Sequence, residues 1–130
     1  MLGTATFLIG ARSQSTRTDM KVKSFWANIF VGLRRGYGGK APDFDDVLPL
    51  CQGYVEEVGL AVTISPTVFV YRGGMEYGVI VGLINYARFP STPKKILAHA
   101  LKLARILRKE LGQERVTVMT PTESILIGRG

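Results

Sequence analysis

This chain has few of the residues from which most nucleophilic and metal sites are built. It contains one cysteine, Cys51, and one histidine, His99, in 130 residues. A single cysteine excludes an intrachain disulfide framework and points to a reducing compartment. One cysteine with one histidine also leaves an intrachain zinc site short of ligands. No apolar run approaches the roughly 18 residues that a membrane-spanning helix needs, so no membrane contact is expected. P-loop and Gly-x-Gly-x-x-Gly fingerprints are missing too. The apolar stretch from Met1 to Ala11 has no cation before it and is a poor match to a secretory signal. Residues 1–20 read instead as an N-terminal extension or an extra strand.

What remains is ample for one packed domain. Hydrophobic residues make up 46% and charged residues 21% of the chain, which supports a core and argues against disorder. The formal charge is +7, and it is unevenly placed. Residues 1–65 carry seven cations and six acids, whereas residues 66–130 carry ten cations and four acids. Such a field favours anionic partners such as nucleotides, nucleic acid or acidic protein.

The chain repeats itself. Val31-Gly32-Leu33 recurs as Val81-Gly82-Leu83. Val62-Thr63-Ile64-Ser65-Pro66-Thr67 recurs, with one extra residue, as Val116 to Thr122. Two pseudo-repeats follow, about 24–73 and 74–130, within a single domain spanning 21–130. Alternating apolar residues from Phe25 to Leu33 predict a strand, and Val79–Tyr86 predict another. Asp43, Asp45 and Asp46 suit a helix N-terminus, and Pro49 suits only a first turn, so a regular helix is predicted from near Asp46 to Gly59. Residues 60–71 read as two strands broken at Pro66, or one bent strand. The clearest helix runs from about Thr92 to Leu111, with Ser91 or Thr92 as cap and Pro93 in the first turn. Residues 115–119 and 124–127 finish the chain as strands. The expected class is α+β, with two helices on one face of a mainly antiparallel sheet and duplicated β-α-β-β units in ferredoxin-like order. Trp26 and Phe30 would lie on the uncovered face, which then needs a ligand or another subunit.

Catalytic signals are weak. His99 reads as a solvated residue of the basic helix. Cys51 lies on an apolar stripe and reads as a buried structural thiol. The three aspartates lack the further ligands of a calcium loop. No catalytic residue, metal or cofactor is therefore assigned. Binding residues are easier to nominate. Arg34, Arg35 and Tyr37 follow the first Val-Gly-Leu run, and Asn85, Tyr86, Arg88 and Phe89 follow the second. Arginine forks onto phosphate oxygens, aromatic rings stack on bases, and Asn85 can read a base or ribose edge. Thr120 and Thr122 add hydroxyls at a Pro-Thr turn, and Arg72 closes the first half as Arg129 closes the second. Equivalent loops in a pseudo-symmetric domain are expected to converge on one site.

Gly32-Leu33-Arg34-Arg35-Gly36-Tyr37, the run from Tyr54 to Leu60, and the run from Gly82 to Pro90 together resemble the small phage proteins that defeat bacterial Thoeris defence, in their first-described sponge type. The resemblance covers about residues 21–129. It implies a non-catalytic homo-oligomer, in the host cytoplasm, that encloses a cyclic ADP-ribose-type signal, with some members also taking cyclic oligonucleotides. Asn85, Arg88, Arg34 and Tyr37 are the residues it nominates. The expected function is therefore sequestration of a small anionic nucleotide signal, not catalysis. The alternative is a nucleic-acid-binding module on a ferredoxin-like sheet. There Trp26 and Phe30 would stack bases, and the six cations of the second helix would meet phosphates.

Overall fold

The computed structural model of the chain describes residues 19–35 and 41–128. The expected extra strand before residue 19 lies outside that range. The elements run β1 (Trp26–Gly32), α1 (Phe44–Val58), β2 (Thr63–Tyr71), β3 (Gly74–Ile84), α2 (Pro93–Glu110), β4 (Arg115–Met119) and β5 (Ser124–Gly128). The sheet order is β2-β3-β1-β4-β5, and every pairing is antiparallel. Without β5 this is the ferredoxin-like β-α-β-β-α-β unit. β5 adds a hairpin strand to one edge. The expected α+β class holds, with two helices against a five-stranded antiparallel sheet.

Period-two alternation decides which side of the sheet is covered. Ala27, Ile29 and Val31 of β1 are fully buried, together with Val79 and Val81 of β3 and Val118 of β4. Leu103, Ala104 and Leu107 of α2 and Val47 and Cys51 of α1 close over them. The opposite face carries Trp26, Asn28 and Phe30, all half-buried, beside Phe69, Ile80 and Leu126 of the neighbouring strands. No helix covers that face among the described residues.

The helix start differs from the sequence reading and β2 takes the single-strand alternative, each for a simple cause. α1 starts at Phe44, earlier than Pro49 suggested, because Asp43 and Asp46 form a reciprocal capping box. The Asp45 N–H donates to Asp43 Oδ1 at 2.9 Å, and the Asp43 N–H donates to Asp46 Oδ2 at 2.9 Å. Pro49 therefore sits inside the helix, which forgoes one backbone bond there. β2 runs unbroken through Pro66, because β2 is an edge strand with only β3 beside it, and an edge tolerates a missing N–H. The first half is thus β-α-β and only the second is β-α-β-β.

Candidate functional site

A cavity of about 460 Å³ opens where the C-terminal end of β1 meets the start of β3 and the α2–β4 turn. Gly32, Arg34, Arg35, Glu76, Gln113, Glu114 and Arg115 line it. Antiparallel register sets Gly32 opposite Gly78, so Glu76 of β3 extends past the last paired residue of β1. A side chain at residue 32 would collide with the Glu76 carboxylate. Glycine there lets the carboxylate lie over the strand end. Glu76 is only 19% exposed and faces the Arg34 guanidinium at 3.7 Å. The Tyr71 hydroxyl donates to its Oε1 at 3.4 Å. The Leu33 N–H donates to the Tyr77 carbonyl at 2.8 Å, which fixes the strand end beside the carboxylate.

Gln113 builds the opposite wall. It is 3% exposed, and its Nε2 donates to the Arg34 carbonyl at 2.8 Å and to the Leu111 carbonyl at 2.9 Å. Arg108 Nη1 donates to the Gln113 carbonyl at 3.1 Å. The loop after α2 is thereby tied to the loop after β1. The cavity presents two carboxylates, Glu76 and Glu114, and three guanidinium groups, Arg34, Arg35 and Arg115. A ligand carrying both charge signs finds partners for each.

Sequence reasoning nominated Arg34 and Arg35, and both line this cavity. It missed Glu76, Gln113, Glu114 and Arg115. No short motif marks them, because they come together only through strand register and the α2–β4 turn. Tyr37 lies outside the described residues, as does Arg129. Arg72 is exposed in the β2–β3 turn and does not line the cavity.

The remaining nominated residues sit at the other end of the sheet. Val31-Gly32-Leu33 and Val81-Gly82-Leu83 belong to antiparallel neighbours, so the loops that follow them leave in opposite directions. Their expected convergence within one chain does not occur. Asn85 is occupied as a staple, its Nδ2 donating to the Lys23 carbonyl and its Oδ1 accepting from the Ser91 N–H, both at 2.8 Å. Tyr86 and Phe89 pack ring to ring with centroids 5.0 Å apart. Arg88 is exposed on the same loop. Thr120 Oγ1 accepts from the N–H groups of Thr122 and Glu123, so the Pro-Thr turn consumes its hydroxyl. Thr122 is exposed beside it. His99 is half-buried and bonded through Nδ1 to the Tyr54 hydroxyl at 2.8 Å, in place of the solvated position expected. Cys51 is a buried thiol, pushed up to about 11 by burial. Among the described residues no cluster of metal-ligating side chains occurs.

The fold is similar to that of solved structures. A phage SAM lyase in its apo state superposes with a TM-score of 0.68 at 22% identity, covering 90% of this chain and 97% of the other. A phage SAM lyase in complex with S-methyl-5′-thioadenosine gives 0.66 at 20% identity, covering 88% and 97%. No family model matches the chain, and no curated protein matches it. At this identity the likeness establishes the fold. It also corrects the expectation of a protein with no enzymatic role, since these two matching structures are of an enzyme. Neither is a Thoeris sponge.

Proposed function

We propose that this chain is an enzyme that cleaves the sulfonium C–S bond of S-adenosylmethionine or a close analogue, releasing a 5′-thioadenosine. One observation carries the proposal. A cavity lined by both acids and arginines sits on a fold shared over about nine-tenths of the chain with a phage SAM lyase. The substrate would bring a sulfonium cation, an ammonium and a carboxylate. Glu76 and Glu114 suit the two cations, and Arg34, Arg35 and Arg115 suit the carboxylate. The Tyr71 ring, next to Glu76, offers a surface for the adenine. As the C–S bond breaks, both electrons go to sulfur and the thioether leaves neutral. The carbon fragment balances by losing a proton from the adjacent carbon to a glutamate carboxylate of the cavity, or by bonding its own carboxylate oxygen to the carbon that sulfur leaves, with no water added. That second route needs no enzyme base, which fits a site without histidine.

Glu76→Gln keeps the shape of the side chain and removes its charge. It is expected to lower kcat/KM by about tenfold or more, mainly through KM, because it removes a charged partner of the bound cations. Arg34→Ala is expected to raise KM more than it lowers kcat. Full turnover by Glu76→Gln would remove this residue from the proposal. Tight binding of S-adenosylmethionine with no turnover by the unaltered protein would overturn the reaction itself.

We further propose that a second copy of the chain covers the helix-free sheet face. Leu126 there is 63% exposed, two strands from the half-buried Phe30 with Thr117 between them, and exposed apolar side chains on an uncovered face favour an interface.

A further inference from the structure

A second, smaller pocket lies at the opposite end of the sheet from the acid–arginine cavity. It occupies about 220 Å³ between the C-terminal end of α1, the end of β3 and the first turns of α2. Glu76 and Ile84, which line the two pockets, are eight residues apart on β3, roughly 26 Å along a strand. One small molecule cannot reach both within a chain.

The chemistry of this pocket is unlike that of the first. Its wall is aliphatic at Val58, Leu60, Ala61 and Leu83, and aromatic at Tyr86 and Phe89. Among the described residues no lysine, arginine, aspartate or glutamate lines it. A phosphate or carboxylate entering it would lose its hydration without a fixed counter-charge. Phe89 is 48% exposed although its ring is packed against Tyr86. Beside Ser91, whose N–H is bonded to Asn85, His99 supplies a polar side chain. Its Nδ1 is tied to Tyr54, which is 4% exposed, so the imidazole orientation is fixed. Among the described residues Nε2 has no hydrogen-bond partner. Most ligand pockets combine an apolar wall with a few placed polar groups in about 300–1,000 Å³. At about 220 Å³ this one has room for a ring system but not for a whole nucleotide.

We propose that this pocket is a second binding site, for a neutral planar heterocycle of nucleobase size. Its ring packs against Tyr86 and Phe89, and one edge hydrogen-bonds His99 Nε2. The site is independent of the sulfonium-cleaving cavity and accounts for a loop, residues 85–90, that the proposed reaction does not use.

His99 is the chain's single histidine, so its imidazole resonances in NMR report on this pocket alone. Full-length protein is titrated with adenine as the probe. The His99 ring signals are expected to shift saturably. Phe89→Ala, at a half-exposed position, is expected to weaken the affinity about tenfold, a mid-range value for base–aromatic stacking. Glu76→Gln is expected to leave the His99 titration unchanged, which separates this site from the first. Immobile His99 signals at the solubility limit of adenine would overturn the proposal. So would an unchanged affinity in Phe89→Ala.

Discussion

Glu76 owes its place to a side chain that is missing. Only glycine at residue 32 lets the carboxylate lie across the end of β1, next to Arg34 and Tyr71. Gln113 does comparable work in the opposite wall, where its amide holds two carbonyls. Gln113→Ala would leave those buried acceptors with water or nothing, at about 1–3 kcal/mol. Thermal denaturation is expected to show a fall in Tm of several degrees, with a larger loss of activity than of helix content. Neither residue announces itself in the sequence. Arginines beside a glycine-rich loop can be picked out by composition, whereas the glutamate and glutamine that partner them arrive from 42 and 79 positions away. Cys51 was legible, because its place on an apolar stripe already implied an inert thiol. Burial raises it from 9.0 to about 11. The folded chain therefore keeps this proton at pH values where the unfolded chain has released it. The contribution to stability is complete below pH 9 and is lost as pH rises toward 11. Tyr54, raised by burial and then by Glu57, acts in the same direction. Denaturant midpoints measured from pH 8 to 11 should fall, and should fall less in Cys51→Ala.

At the level of elements, sequence patterns located both helices and most strands. Apolar periodicity and caps survive tertiary packing, as α2 shows: Thr92 Oγ1 accepts from the Lys95 N–H at 3.2 Å, and Pro93 fills the first helical position. α1 starts before Asp46 because the Asp43–Asp46 capping box fixes its first turn there, with Pro49 accommodated inside the helix. Asp43→Ala removes one half of that box and is expected to cost about 1 kcal/mol, read as a shift in the urea midpoint without a change in slope. Strand direction was the larger gap. A repeated Val-Gly-Leu says that two strands are alike but not that they run antiparallel. Direction alone separates the two loops by the length of the sheet, and the threonine turn falls at the loop 85–90 end.

For the whole molecule, the sequence supported a positive field and an uncovered sheet face, and the structure places the face opposite the helices. If a second copy covers it, Leu126→Lys should turn a dimer or higher oligomer into a monomer in light scattering with the fold retained. A parent protein that is already monomeric would remove self-association from the account. The expectation of a protein without catalysis rested on the scarcity of histidine and cysteine. That scarcity argues against bases and nucleophiles, but not against a reaction in which a charged leaving group departs neutral. The most direct measurement is a time course of the unaltered protein with S-adenosylmethionine, followed by mass spectrometry. The account predicts loss of substrate matched by an equal gain of S-methyl-5′-thioadenosine, over many turnovers. Recovery of the nucleoside intact, bound or free, would contradict it.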